Sequence, residues 1–130
     1  MATRCVIEVE GVEYVKIYKH WDGYPDATLP WLIEFHRTFL ETRGIDPEYE
    51  FAQLLRSSER DGEKFGLDQS KITGWGVLSH DSRVGAEYLY ILKNNGSVET
   101  RLDPEKSNTL LSVSPFLFGD EIEDMGREEG

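Results

Sequence analysis

The segment Val15-Lys16-Ile17-Tyr18-Lys19-His20-Trp21-Asp22-Gly23-Tyr24-Pro25 constrains the fold more than any other stretch of this chain. Its first half alternates, with Val15 and Ile17 on one side and Tyr14, Lys16 and Tyr18 on the other, the period of a strand that buries one face. Its second half ends the strand abruptly. Asp22 before Gly23 can accept bonds from its own turn, Gly23 supplies positive φ, and Pro25 sets the exit direction. Whatever precedes and follows this corner must be built around it.

Upstream, residues 4–10 form a second β-rich run, and Gly11 between the two runs predicts a β-hairpin. Downstream, Thr28 can cap a helix over residues 29–42 with Pro30 in its first turn, where a missing N–H costs nothing. Leu32, Ile33, Phe35, Phe39 and Leu40 form its apolar stripe, His36 lies on the same side, and Gly44 fits the position past its end. A second helix opens at once, with Asp46 as cap, Pro47 at the first position, and Glu48 and Glu50 in the first turn. Its stripe is Phe51, Ala52, Leu54 and Leu55. Residues 61–74 read as a long surface loop. Three strands follow over residues 75–79, 87–93 and 97–102, the last two joined by Asn94-Asn95-Gly96, a hairpin turn.

The order strand–strand–helix–helix–strand–strand–strand predicts an α+β fold: a β-hairpin, two helices, then a three-stranded antiparallel meander, with the helices packed on one face of a mostly antiparallel sheet. At 130 residues there is room for one core. We read residues 1–102 as that single domain and residues 103–130 as an acidic C-terminal tail, partly disordered or packed over the sheet.

Charge bounds the partners. The net charge is −11, and residues 102–130 carry eight acidic and two basic side chains, so the tail supplies over half of the imbalance. A field of this sign opposes nucleic acid and anionic membranes and favours a protein partner with a basic surface. No apolar run reaches the ~18 residues of a membrane span, and no signal segment opens the chain, so the expected location is cytoplasmic. The single cysteine, Cys5, lies mid-strand, which excludes an internal disulfide and a multi-cysteine zinc site.

Residues 17–25, Ile-Tyr-Lys-His-Trp-Asp-Gly-Tyr-Pro, resemble a turn found between a hairpin and a helix in small uncharacterised proteins of phages and prokaryotes. The resemblance extends over Ala52-Gln53-Leu54-Leu55 and residues 87–92, covering roughly residues 5–101 in order of elements. It implies a context, a virus or mobile element, and no reaction.

Two readings of the turn stand side by side. In the chemical one, His20 and Asp22, at alternate positions of an extended segment, act as an acid/base pair beside Trp21 and Tyr24. In the architectural one, the same residues serve turn geometry. His80 could join His20 only if both leave the sheet at the same end, and no His-x-x-x-His pair supports a metal site. There is no Gly-x-Ser-x-Gly elbow, no phosphate-cradling glycine motif and no cofactor signature. Tyr14, Tyr18, Tyr88 and Tyr90 are expected to form an aromatic sheet face, suited to a protein partner or a homodimer, or covered by Leu110, Leu111 and residues 116–118.

The expected function is macromolecular binding by a small acidic protein, for instance as a viral inhibitor of a basic host protein, and not turnover. The alternatives are a small hydrolase or ligand-binding module using His20, Asp22 and Tyr24, with Tyr18, Trp21, His80, Tyr88 and Tyr90 lining the site, and a homo-oligomeric structural protein.

Overall fold

The structure, a computed structural model, describes residues 2–59 and 73–115. Most of the loop read at 61–74, and the acidic end beyond residue 115, lie outside the described residues. Two helices and a six-stranded, mostly antiparallel sheet make an α+β fold. In chain order these are β1 (Cys5–Val9), β2 (Val15–Lys19), α1 (Pro25–Arg43), α2 (Pro47–Arg56), β3 (Trp75–Ser79), β4 (Tyr88–Leu92), β5 (Val98–Leu102) and β6 (Thr109–Val113).

The β1–β2 hairpin forms as its sequence predicts, with Cys5 opposite Lys19 and Ile7 opposite Ile17. Gly11 takes φ 101°, and a Cβ there would lie 2.7 Å from Pro47 at the start of α2, so the turn needs glycine for both dihedral and space.

The expected three-stranded meander is corrected. The sheet order is β3-β2-β1-β4-β5-β6, so β3 pairs antiparallel with β2 at one edge, while β4 inserts parallel to β1. Side-chain character explains the placement. β1 and β4 are apolar towards both faces and take the two central positions, as strands with two buried faces must. β3 holds Gly76 and Ser79 and goes to the edge. The sixth strand falls inside the stretch 103–130 and joins β5 through a bulge between Thr100 and Arg101.

α1 starts four residues earlier than its stripe predicts. Tyr24, not Thr28, is the residue before the helix, Pro25 stands in the first turn, and Pro30 lies inside. Thr28 is buried in the helix, where its hydroxyl has another use. Gly44 ends α1 at φ 82° and donates its N–H to the Leu40 carbonyl at 2.9 Å. Asp46 precedes α2 without a side-chain cap bond, its carboxylate instead meeting Arg43 at 3.2 Å.

Alternate strand residues divide into two clusters. Cys5, Ile7, Val9, Ile17, Tyr90, Leu92 and Val98 pack with Leu32 of α1 and Phe51 and Leu54 of α2. Full burial of a leucine such as Leu32 or Leu54 contributes roughly 1.5–3 kcal/mol, so these contacts hold the helices on the sheet. Val6, Leu89 and Ala86 form the second cluster, edged by Tyr18, Val84 and Ile91. Among the described residues no helix is long and apolar enough to cross a membrane.

Candidate functional site

The corner after β2 is held by backbone and buried side chains together. The His20 N–H continues the β2–β3 ladder by donating to the Gly74 carbonyl at 2.9 Å. Trp21 then lies over Gly74, where an added Cβ would approach the indole to 2.4 Å. Asp22 takes φ 53°, a conformation that Asp tolerates better than most residues. The Gly23 N–H donates to the Thr3 carbonyl at 2.8 Å, and a Cβ on Gly23 would sit 2.8 Å from both the Cys5 nitrogen and the Thr3 oxygen.

Three successive carbonyls of the turn each accept one bond from a buried side chain. Lys19 Nζ donates to the Trp21 carbonyl, Thr28 Oγ1 to Asp22 at 2.6 Å, and Tyr90 Oη to Gly23 at 2.6 Å. These donors are 1%, 0% and 0% exposed, respectively. A buried polar group without a partner is costly, so donors and turn each require the other. Burial pushes the Tyr90 hydroxyl far above the ordinary tyrosine range, with Cys5, Tyr88 and Asp26 adding to it, so the group stays a donor.

The structure brings four of the sequence-predicted residues, Tyr18, His20, Trp21 and Tyr90, to this corner. Tyr18 Oη lies 2.6 Å from His20 Nδ1, and the His20 ring meets Trp21 edge-on at 4.9 Å between centroids. Tyr90 joins from beneath through its bond to Gly23. Tyr24 stands before α1, 41% exposed. His80 is not part of the group. In the antiparallel β2–β3 register Lys19 pairs with Trp75 and Val15 with Ser79, so His20 and His80 leave at opposite ends of a five-residue ladder. That is a separation of roughly 17 Å. His80 instead lies 3.4 Å from Glu8.

The expected tyrosine face is also corrected. Tyr88 and Tyr90 stack at 6.5 Å on the side of Cys5 and Ile7, while Tyr18 borders the opposite cluster around Val6. Tyr14 is 83% exposed, ahead of β2. Parity of position decides this: Val6 pairs with Tyr18 and Ile7 with Tyr90, so the rings point to opposite faces.

Two residues that sequence reasoning missed border Tyr18. The Arg4 N–H donates to Glu87 at 2.5 Å, and the Arg4 guanidinium lies 3.8 Å from the same carboxylate. Burial raises the Tyr18 pKa, Arg4 opposes the shift and Glu87 adds to it. Arg4 and Glu87 are 83 residues apart in sequence and meet only because β1 and β4 run parallel, so no local signal could have paired them.

A second missed pair is deeper. His36 Nδ1 lies 2.6 Å from Glu50 Oε2, and His36 Nε2 lies 2.6 Å from the Lys93 carbonyl, with His36 and Glu50 1% and 3% exposed. Both ring nitrogens face acceptors. A proton must therefore stand on Nε2 towards Lys93, and another must lie between Nδ1 and Glu50.

Among the described residues, concavities lie away from the corner. An apolar groove of about 830 Å³ runs between the helices, lined by Trp31, Phe35, Phe39, Arg43 and Tyr49. A polar one of about 420 Å³ on the Val6 side includes Glu8, Lys16, His80, Arg83 and Glu105. Neither is lined by His20, Asp22 or Tyr24. Among the described residues no three His, Cys, Asp or Glu side chains are placed to hold a metal ion.

No protein-family model matches this chain, and no curated protein or solved structure matches it.

Proposed function

We propose that this protein acts by binding a macromolecular partner that presents a basic surface. The observation that carries this reading is the use of the turn: Lys19, Thr28 and Tyr90 spend their donors on its carbonyls, which supports reading the motif as a structural joint. The net charge of −11 supports the choice of partner, since it steers basic surfaces in and repels phosphate backbones. An inhibitor that occupies the nucleic-acid site of a basic protein is one concrete form. The test is affinity purification with the intact chain, followed by binding measured with the purified partner. A basic partner whose affinity falls steeply between low salt and about 0.5 M supports the reading. A partner without a basic surface, or binding indifferent to salt, overturns it.

A small hydrolase or ligand-binding module at His20 is the second reading, favoured by the 2.6 Å contact between His20 Nδ1 and Tyr18. A tyrosine donating to Nδ1 fixes the ring as the Nε2–H tautomer. Turnover or ligand affinity that His20→Ala abolishes, in a protein that still folds, would establish this reading over the first.

A further inference from the structure

The two edges of the sheet are unlike. β3 presents Val77 at 48% exposure among half-buried neighbours. At the other edge all five residues of β6, Thr-Leu-Leu-Ser-Val, are exposed, with Leu110, Leu111 and Val113 at 49%, 47% and 44%. β6 is outermost, so among the described residues the backbone groups on its outer side have no ladder partner. Proteins blunt such edges with charge, proline or a bulge. β6 has no charge and no proline, and its bulge against β5 bends the strand without covering its leucines.

The strand lies within residues 107–119, thirteen uncharged residues in succession, the longest such run in a chain with 30% charged residues. A chain of net charge −11 meets its own copy against repulsion on most of its surface. Along β6 that repulsion is absent.

We propose that β6 is a dimerisation edge, at which two copies of the chain pair β6 to β6, antiparallel about a two-fold axis near Leu111. Two six-stranded sheets then become one continuous sheet. Across the axis Leu111 faces its own copy, Leu110 faces Ser112 and Thr109 faces Val113, and no like charges oppose each other. The antiparallel arrangement also separates the two Val113 ends, beyond which the acidic stretches follow in sequence, by roughly 13 Å, more than the ~8 Å screening length of physiological salt. The strand is self-complementary, as a two-fold interface requires.

Size-exclusion chromatography with light scattering on the intact chain, from about 1 µM to about 200 µM, tests this. The expected result is a mass rising from the 14.9 kDa of one chain towards twice that value. Leu111→Lys, which places two like charges across the axis, returns the mass to one chain while the melting temperature of the monomer is kept. Val77→Lys at the opposite edge leaves the dimer intact. Hydrogen exchange on the unsubstituted protein gives a readout free of folding defects, with amides 109–113 becoming protected as concentration rises. A single-chain mass at every concentration overturns the proposal, as does a dimer that Val77→Lys disrupts and Leu111→Lys does not. Protection of β6 only on adding a polylysine peptide to a monomer also overturns it, and assigns the edge to a basic partner.

Discussion

His20 and His36 sit in opposite settings. His20 occupies a conspicuous motif at the end of β2, partly exposed, with Tyr18 and Trp21 as neighbours. His36 occupies an ordinary helix stripe, 1% exposed, clamped between Glu50 of α2 and the Lys93 carbonyl beyond β4. The carbonyls of the visible motif are the acceptors for three buried donors. The inconspicuous histidine is the one whose chemistry the core depends on, because it ties α1, α2 and the β4–β5 turn through two bonds. A motif dense in reactive side chains is therefore poor evidence of reaction until its main-chain bonds have been counted.

The comparison predicts its largest effect at the buried pair. Glu50→Ala leaves a ring nitrogen of His36 facing no acceptor, and should cost about 3–5 kcal/mol of unfolding free energy in denaturant titration. Glu50→Gln, which keeps an acceptor oxygen, should cost less. An Ala variant within experimental error of the parent would show that the pair contributes nothing.

Next come the donors beneath the turn. Tyr90→Phe leaves the Gly23 carbonyl buried without its bond, for an expected loss of about 1–3 kcal/mol. Thr28→Val keeps shape and removes only the hydroxyl, for about 1 kcal/mol. Thermal unfolding of both variants against the parent measures these losses, and two silent substitutions would detach the turn from the core.

The smallest effect lies at Glu105, whose carboxylate accepts the Val84 and Gly85 N–H groups at 2.8 and 3.2 Å. Partial burial acts to raise its pKa, but those two N–H groups, with Lys16 and Arg83, hold it below the usual carboxylate range. For a depressed carboxylate the stabilisation is present above the unfolded value and is lost as pH falls through the folded one. The protection factors of the Val84 and Gly85 amides, exchange relative to the intrinsic rate at each pH, should therefore fall as the solution is acidified through that window. In Glu105→Gln they should show no such step.

Local chemistry made much of the fold legible. The Gly11 hairpin, Gly44 after α1, Pro47 at the start of α2 and the Asn95-Gly96 turn all follow from what single residues permit. What was not legible depends on register between distant strands. The parallel β1–β4 pairing has no local signature, yet it decides that Tyr88 and Tyr90 lie with Cys5 and Ile7 while Tyr18 borders the opposite cluster around Val6. Strand β6 escaped notice because Thr-Leu-Leu-Ser-Val has no clean alternation, and Pro115 follows closely. Glu50 resembled any acidic first-turn residue; only the approach of two helices turns it onto His36 fourteen residues away. The start of α1 was missed because Thr28 has the chemistry of a cap but spends its hydroxyl on the Asp22 carbonyl.

The claim that the corner is a joint is tested most directly by the unfolding free energies of Gly23→Ala and His20→Ala, measured side by side in the intact protein. The account predicts that the added methyl, pressed against the Thr3 and Cys5 backbone, costs about 2 kcal/mol or more, while loss of the imidazole costs less than half as much. A Gly23→Ala protein as stable as the parent, beside a folded His20→Ala protein that has lost a measurable turnover, would contradict it.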